Sequence, residues 1–304
     1  MDLTRYVTTF GQAMQRKYGE KVYKLSVNAA FNCPNRDGSR GIGGCAFCNV
    51  NSFSPQTTRY DSVREQIEQG RRRMSQMTGA RKFIAYFQAY SNTYGELERL
   101  KQLYDEALAC DQVIGLAVGT RPDCVPDPVL DLLASYQRQG KEVWLELGLQ
   151  SARDDTLAAV NRGHGFAEYR DAVQRVRARG LQLCTHLIIG LPGERGSDAL
   201  DSFARVIELG VDAIKVHPLH IVKGTQLARQ WKRGEIEELS LDEYCETVAE
   251  IIRRAPPGLI FHRLHGSGSP DYLLAPQWCR SKWGVLGEIH QRLTQKPGEH
   301  YLSQ

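Results

Sequence analysis

The stretch Phe31-Asn32-Cys33-Pro34-Asn35-Arg36-Asp37-Gly38-Ser39-Arg40-Gly41-Ile42-Gly43-Gly44-Cys45-Ala46-Phe47-Cys48-Asn49 places three cysteines in one glycine-rich loop, directly after a strand-like run at 23–27. The close spacing of Cys45 and Cys48 lets two thiolates converge on one metal centre, and a tight turn brings in Cys33. Three thiolates and a vacant position suit a four-iron, four-sulfur cluster whose fourth iron binds a small molecule. The alternative is a zinc ion completed by a distant residue, because no fourth ligand is evident nearby.

Length and composition limit the class of protein. A chain of 304 residues can form one sizeable α/β domain with an appendage. The N-terminus has no apolar signal region, and no apolar run is long enough to cross a bilayer. Eight cysteines at irregular spacing do not indicate a disulfide framework. We therefore expect a reduced, cytoplasmic protein without a membrane partner. The basic run 71–73 is more typical of a solvated helix face than of a nucleic-acid site.

Short apolar runs alternate with amphipathic segments along most of the chain. Strict alternation of strands and helices requires right-handed crossovers and a parallel sheet. We predict an α/β fold, an incomplete (βα)6 barrel over 1–239, followed by an α-rich C-terminal extension over 240–304 that packs on the barrel. The predicted strands are 23–27, 82–87, 113–119, 142–149, 182–189 and 212–217, and the predicted helices lie near 61–77, 96–109, 127–139, 166–179 and 197–209, the first opened by Asp61.

The alternation of side chains within these strands separates an outer face from the barrel interior. Along 142–150 the aliphatic residues share the face that helices cover, so Glu146 and Gln150 point inward. Active sites of barrels lie at the carboxyl ends of the strands. The same reasoning places further polar residues in the interior, as substrate-pocket candidates or as groups that satisfy one another: Cys184, His186, Lys215 and His217, with Gln88 at the end of the second strand.

Two loops after later strands add to this pattern. Gly190-Leu191-Pro192-Gly193-Glu194 follows the fifth strand, and its glycines would let the backbone approach a flat ligand. Asn161-Arg162-Gly163-His164 follows a short helix pattern after the fourth strand. Both loops are expected on the same side of the barrel as the three cysteines.

In combination, these segments resemble the radical S-adenosylmethionine (SAM) enzymes. The cysteine loop at 33–48, the run 145–151 ending in Gln150-Ser151, and the loop 190–194 occur in the family's order. The chain is most similar to the YhcC-type branch, and more distantly to the radical SAM domain of the Elongator catalytic subunit. Eleven residues separate Cys33 from Cys45, as in the Elongator-like branch, and Gln88-Ala89-Tyr90-Ser91 stands where Gly-Gly-Glu is usual. The segments 83–90, 119–123, 217–225 and 274–279 carry the likeness to this branch.

The resemblance implies that residues 1–239 form a radical SAM partial barrel and that Cys33, Cys45 and Cys48 hold the 4Fe-4S cluster. It further implies reductive cleavage of SAM to a 5′-deoxyadenosyl radical, which abstracts hydrogen from an unknown substrate, with RNA as one candidate. A reduced flavodoxin or a ferredoxin-type protein would donate the electron. The residues implied at the cofactor site are Phe47 near the adenine, Gln88, Glu146, Gln150 and Arg162 for polar contacts, and Gly190, Pro192 and Glu194 along the adenine.

Cys279, beside Trp278 in the extension, is a weak candidate for a hydrogen-atom donor, and a buried structural thiol is the other interpretation. A contrasting hypothesis for the whole chain is a zinc-stabilised, non-catalytic binding protein built on a decayed barrel. Metal content distinguishes the two hypotheses, because a cluster brings several irons with sulfide.

Overall fold

A computed structural model describes residues 3–52 and 62–296. The strands are β1 (Thr8–Thr9), β2 (Val22–Val27), β3 (Lys82–Phe87), β4 (Val113–Thr120), β5 (Glu142–Gln150), β6 (Gln182–Ile189), β7 (Ala213–Pro218), β8 (Ile221–Val222), β9 (Ile260–Arg263) and β10 (Leu273–Ala275). The helices are α1 (Phe10–Tyr18), α2 (Val63–Thr78), α3 (Leu97–Leu108), α4 (Asp127–Arg138), α5 (Asp154–Ala159), α6 (Phe166–Ala178), α7 (Gly196–Glu208), α8 (Gln226–Lys232), α9 (Leu241–Arg254) and α10 (Lys282–Gln295).

The main sheet contains eight strands in the order β1-β9-β7-β6-β5-β4-β3-β2, and neighbouring strands are parallel. Six of them, β2 to β7, are the predicted strands, so the predicted partial barrel is confirmed. Four described strands were not predicted, and two of them, β1 and β9, belong to this main sheet. β9 from the C-terminal region pairs with β7, and the short β1 then pairs with β9. β8 and β10 form a separate antiparallel pair.

Local sequence explains where the helices begin and end. The side chain of Ser62 accepts a hydrogen bond from the Glu65 amide at the start of α2, and Gly79 ends that helix in the left-handed conformation. Ser240 caps α9 in the same way as Ser62 caps α2. Asp61, which we predicted to open α2, lies outside the described residues. The proposed boundary between 239 and 240 stays a prediction.

The apolar core lies between the sheet and its outer helices. Val143, Leu145, Leu147 and Leu149 of β5 are buried in this core. On the opposite face of the sheet, Trp144 packs in a second apolar cluster that also contains Cys184. The side chains of β5 therefore alternate between the two faces of the sheet, as predicted. Among the described residues, no helix is both long and apolar enough to cross a membrane.

Candidate active site

The cysteine loop is held in place by hydrogen bonds that do not depend on a bound metal. Within the loop, the Gly44 amide donates to the Asn35 carbonyl at 2.7 Å. Two bonds then connect Ala46 to distant parts of the chain: its amide donates to the Val160 carbonyl at 2.9 Å, and its carbonyl accepts from the Leu227 amide at 3.0 Å. The loop is thus tied both to the end of α5 and to the start of α8.

Two side chains donate hydrogen bonds to the sulfur of Cys45. Arg162 Nη1 lies 3.3 Å from this sulfur, and Asn35 Nδ2 lies 3.6 Å from it. Arg36 Nη2 donates to the Cys48 carbonyl at 2.9 Å. Burial raises the pKa of the Cys48 thiol, and the neighbouring Cys45 adds to the effect. A bound metal would remove this cost because it stabilises the thiolate directly.

Gly148 leaves room for the side chain of Arg162, which extends to Cys45. Arg162 Nη2 donates to the Gly148 carbonyl at 2.5 Å. A β-carbon at position 148 would lie 3.0 Å from Arg162 Nη2 and 2.8 Å from Gln150 Nε2. The missing side chain of Gly148 therefore leaves room for two polar groups at the carboxyl end of β5.

One cavity of about 260 Å³ joins the cysteine loop to the carboxyl ends of the strands. Cys33, Cys45 and Cys48 all line it. The structure also brings together at this cavity most of the other residues selected from the sequence: Phe47, Gln88, Glu146, Gln150, Arg162, His186, Lys215 and His217.

The remaining selected residues are not among those that line this cavity. Leu191, within the loop 190–194, packs with Ala46 and Phe47 in a small apolar cluster behind the cysteine loop. Glu194 accepts a hydrogen bond from the Ser151 hydroxyl, and burial raises the pKa of its carboxyl group. The cofactor contacts assigned to Gly190, Pro192 and Glu194 stay predictions.

Two of the selected cysteines are completely buried. Cys184 is not among the lining residues of the cavity, and its sulfur is within 4.8 Å of ligand atoms of Glu146 and His186, which do line it. Cys279 lies elsewhere, where its carbonyl is 3.1 Å from His265 Nε2. Burial raises the pKa of both thiols. The roles assigned to these two cysteines, in substrate contact and in hydrogen donation, stay predictions.

The carboxylate of Glu146 is the centre of a buried polar network. It accepts hydrogen bonds at 2.5 Å from Lys24 Nζ, at 2.9 Å from the Tyr86 hydroxyl and at 3.2 Å from Lys215 Nζ. His186 Nε2 lies 2.7 Å from the same carboxylate. Glu146 therefore faces the cavity with its oxygens already engaged, and its contact with SAM stays a prediction.

Burial and the neighbouring charges together set the protonation of Glu146, Lys215 and His186. Burial opposes ionisation of Glu146, but Lys215 and Lys24 outweigh that effect and hold the pKa of the carboxyl well below its usual range. Burial, only partly offset by Glu146, lowers the pKa of Lys215 to about 8. Burial and Lys215 lower the pKa of His186 to about 4. At neutral pH the network thus contains an ionised Glu146, a charged Lys215 and a neutral His186.

Several residues of this region were not predicted from the sequence. Lys24 and Tyr86 lie on the inward faces of β2 and β3, and the alternation that identified Glu146 would also have found them. Arg263 lines the cavity from β9, and Arg36 lines it from within the cysteine loop. The apolar run 259–261 after Pro256-Pro257-Gly258 was the available signal for β9.

Comparison with known proteins agrees with this geometry. The model of the radical SAM superfamily matches residues 32–206, more than half of the chain. The chain belongs to the radical SAM superfamily. The model of the radical SAM C-terminal domain matches residues 211–295. This radical SAM enzyme is 47% identical over 295 residues to Protein YhcC of Escherichia coli, covering 97% of this chain and 94% of the relative.

Two further comparisons extend the relationship. The uncharacterised protein YtqA of Bacillus subtilis is 37% identical over 286 residues, which cover 94% of this chain and 88% of YtqA. The structure of Elp3 from the archaeon Methanocaldococcus infernus superimposes with a TM-score of 0.67 at 18% identity. That match covers 90% of this chain and 63% of the Elp3 chain, so it shows a shared fold over part of Elp3.

Membership of the superfamily confirms the predicted cofactors, a 4Fe-4S cluster and SAM, and does not favour the zinc-stabilised binding protein. The donor set of this chain suits the cluster chemically, because three thiols share one cavity and Arg162 and Asn35 donate to the Cys45 sulfur. Arg162 Nε is buried without a partner among the described residues, as expected beside a polar ligand.

Proposed function

We propose that this enzyme abstracts a hydrogen atom from a substrate held at the carboxyl ends of β5 to β7, with Cys33, Cys45 and Cys48 as the cluster ligands. When bound, the cluster and SAM together supply a 5′-deoxyadenosyl radical. The observation that supports this proposal most strongly is the shared cavity, which contains the three cysteine thiols and the inward-facing polar residues of the barrel.

The protein's own contribution is to bind, orient and shield the reacting groups. Phe47 and Gln150 line the cavity near the cysteines and are assigned to SAM, together with Gln88 and Arg162. His186, Lys215 and His217 are assigned to the substrate. Glu146 favours the charged form of Lys215, whereas burial and Lys215 keep His186 neutral, so the two side chains offer different hydrogen-bonding groups to a ligand.

We further propose a cytoplasmic location. We also propose a reduced flavodoxin or ferredoxin-type protein as the electron donor, because the family's chemistry needs a one-electron reductant. RNA is the substrate class to test first, on the basis of the fold shared with Elp3.

The substrate class can be tested by dividing a cell extract. Reduced, cluster-loaded enzyme and SAM are incubated anaerobically with total RNA in one arm and with the small-molecule fraction in the other. We expect a SAM-dependent change of mass in one nucleoside after digestion of the RNA. A product confined to the small-molecule arm would contradict RNA as the substrate and leave hydrogen abstraction supported. A Cys45→Ala protein serves as the inactive control.

Gln150→Ala should weaken SAM binding while the iron content stays unchanged. Gln150 lines the cavity, and among the described residues no hydrogen bond joins its side chain to the cysteine loop. Loss of one hydrogen bond costs on the order of 1 kcal/mol, which corresponds to a roughly fivefold weaker affinity. Calorimetry of the cluster-loaded protein measures the change, with the exposed Gln139→Ala as the matched control. Equal affinities for Gln150→Ala and wild type would exclude Gln150 from the SAM site.

A further inference from the structure

The pairing of the strands places three nitrogen-bearing side chains side by side at one end of the cavity. Residue His186 of β6 pairs with Lys215 of β7, and Lys215 pairs with Arg263 of β9. All three residues line the cavity. His217, two residues after Lys215 and on the same face of β7, also lines it. This end of the cavity is therefore built from basic residues of three adjacent strands.

Charge is unevenly distributed around the cavity. Among the described lining residues, five side chains are cationic and one, Glu146, is a carboxylate. The cationic residues are Arg36, Arg121, Arg162, Lys215 and Arg263. Arg121 is paired with Asp123 at 2.8 Å. Arg36 and Arg162 contact the cysteine loop, where three thiolates would offset their charge.

The positive charge at the Lys215 end has no comparable compensation. Glu146 is shared between two ammonium groups, with Lys24 Nζ at 2.5 Å and Lys215 Nζ at 3.2 Å. Within residues 3–52 and 62–296, no carboxylate forms an ion pair with the Arg263 guanidinium. Lys24 and Lys215 thus share one carboxylate, and Arg263 adds a third positive charge that no carboxylate of the described residues pairs with. An anionic ligand would balance the excess charge, and a partly buried cavity strengthens such an interaction.

The neighbouring histidines are suited to complete an anion site as neutral groups. Gly266 approaches His217 so closely that a β-carbon there would lie 2.8 Å from His217 Nδ1. Burial, with Arg263 and Lys215, lowers the pKa of His217 well below its usual value. A neutral imidazole still donates one hydrogen bond. The site therefore offers one guanidinium fork, one ammonium group and one imidazole.

We propose that the substrate carries an anionic oxygen group, a carboxylate or a phosphate, which binds between Arg263, Lys215 and His217. This inference rests on the proposed function, since it defines the substrate end of the same cavity. Arg263 suits the role because its planar fork binds carboxylate and phosphate through paired hydrogen bonds. Arg263 is a binding residue in this proposal and takes no part in forming the radical.

The test is a calorimetric titration of the cluster-loaded enzyme with SAM present, at constant ionic strength. Inorganic phosphate and glutarate are titrated separately, and neutral glutaramide is the uncharged comparison. We expect at least one of the two anions to bind and glutaramide not to bind. Arg263→Gln should weaken anion binding by about tenfold or more, because a charge-assisted pair is lost. Arg263→Lys should retain more affinity than Arg263→Gln. The control is Arg138→Gln, an exposed residue of α4, which should bind as wild type does.

Tighter binding of phosphate would identify a phosphoryl group, and tighter binding of glutarate a carboxylate; either result supports the site. The proposal is overturned if neither anion binds to wild type, or if Arg263→Gln binds both as tightly as wild type does. Cleavage of SAM is measured on the same preparation. A preparation that cleaves SAM but binds neither anion contradicts this inference alone, whereas failure to cleave SAM contradicts the proposed function.

Discussion

Replacing Cys45 with alanine should abolish cluster assembly while the fold survives. Two remaining thiolates cannot hold a cluster that needs three protein ligands in this loop. The loop itself should persist, because the Ala46 amide and carbonyl bond to Val160 and Leu227. We expect iron and sulfide contents near zero after anaerobic reconstitution and a far-ultraviolet circular dichroism spectrum like that of wild type. Cys33→Ala and Cys48→Ala should behave in the same way.

The matched control for these variants is Cys110→Ala. Cys110 is a buried thiol in the core between the sheet and its helices, and it does not line the cavity. This variant should assemble a full cluster. A wild-type iron content in any of the three loop variants would show that the assigned ligand set is wrong.

Glu146→Gln should strongly destabilise the protein. The substitution keeps the shape of the side chain but removes the negative charge that Lys24 and Lys215 share. The side chain of Lys215 is only 7% exposed, so its ammonium group would remain buried without a counter-charge. Breaking a buried pair in this way typically costs about 3–5 kcal/mol of unfolding free energy. Denaturant unfolding monitored by circular dichroism measures the loss.

Glu142→Gln is the control on the same strand. The carboxylate of Glu142 is also buried, but its partner Lys17 is 52% exposed and can return to water. We therefore expect a clearly smaller loss for Glu142→Gln. The double variant Glu146→Gln/Lys215→Met should recover part of the stability, since it removes one of the unpaired charges. Equal losses for the two single variants would contradict the central role of Glu146 in the network.

The structural features that follow from local sequence pattern were predictable. Six strands and five helices follow from apolar runs and their periodicity. The inward direction of Glu146, His186 and Lys215 follows from the alternation of side chains within a strand. These features require no knowledge of which distant segments meet, so a single sequence is enough to predict them.

Contacts between distant segments were not predictable in the same way. The hydrogen bond from Arg162 to the Cys45 sulfur joins residues 117 positions apart. The pairing of β9 with β7 brings Arg263 to the cavity, although β9 is four residues long and follows a proline break. Short strands carry a weak periodic signal, and their pairing is decided by the packing of the whole sheet. Arg263 was therefore found only in the structure.

We propose that the cluster held by this chain cleaves SAM reductively. The most direct measurement is anaerobic incubation of the reconstituted protein with SAM and a chemical reductant, followed by quantification of 5′-deoxyadenosine and methionine. We predict equal amounts of both products from wild type and neither product from Cys45→Ala. Absence of 5′-deoxyadenosine from wild-type protein that contains its full complement of iron and sulfide would contradict reductive cleavage of SAM by this protein.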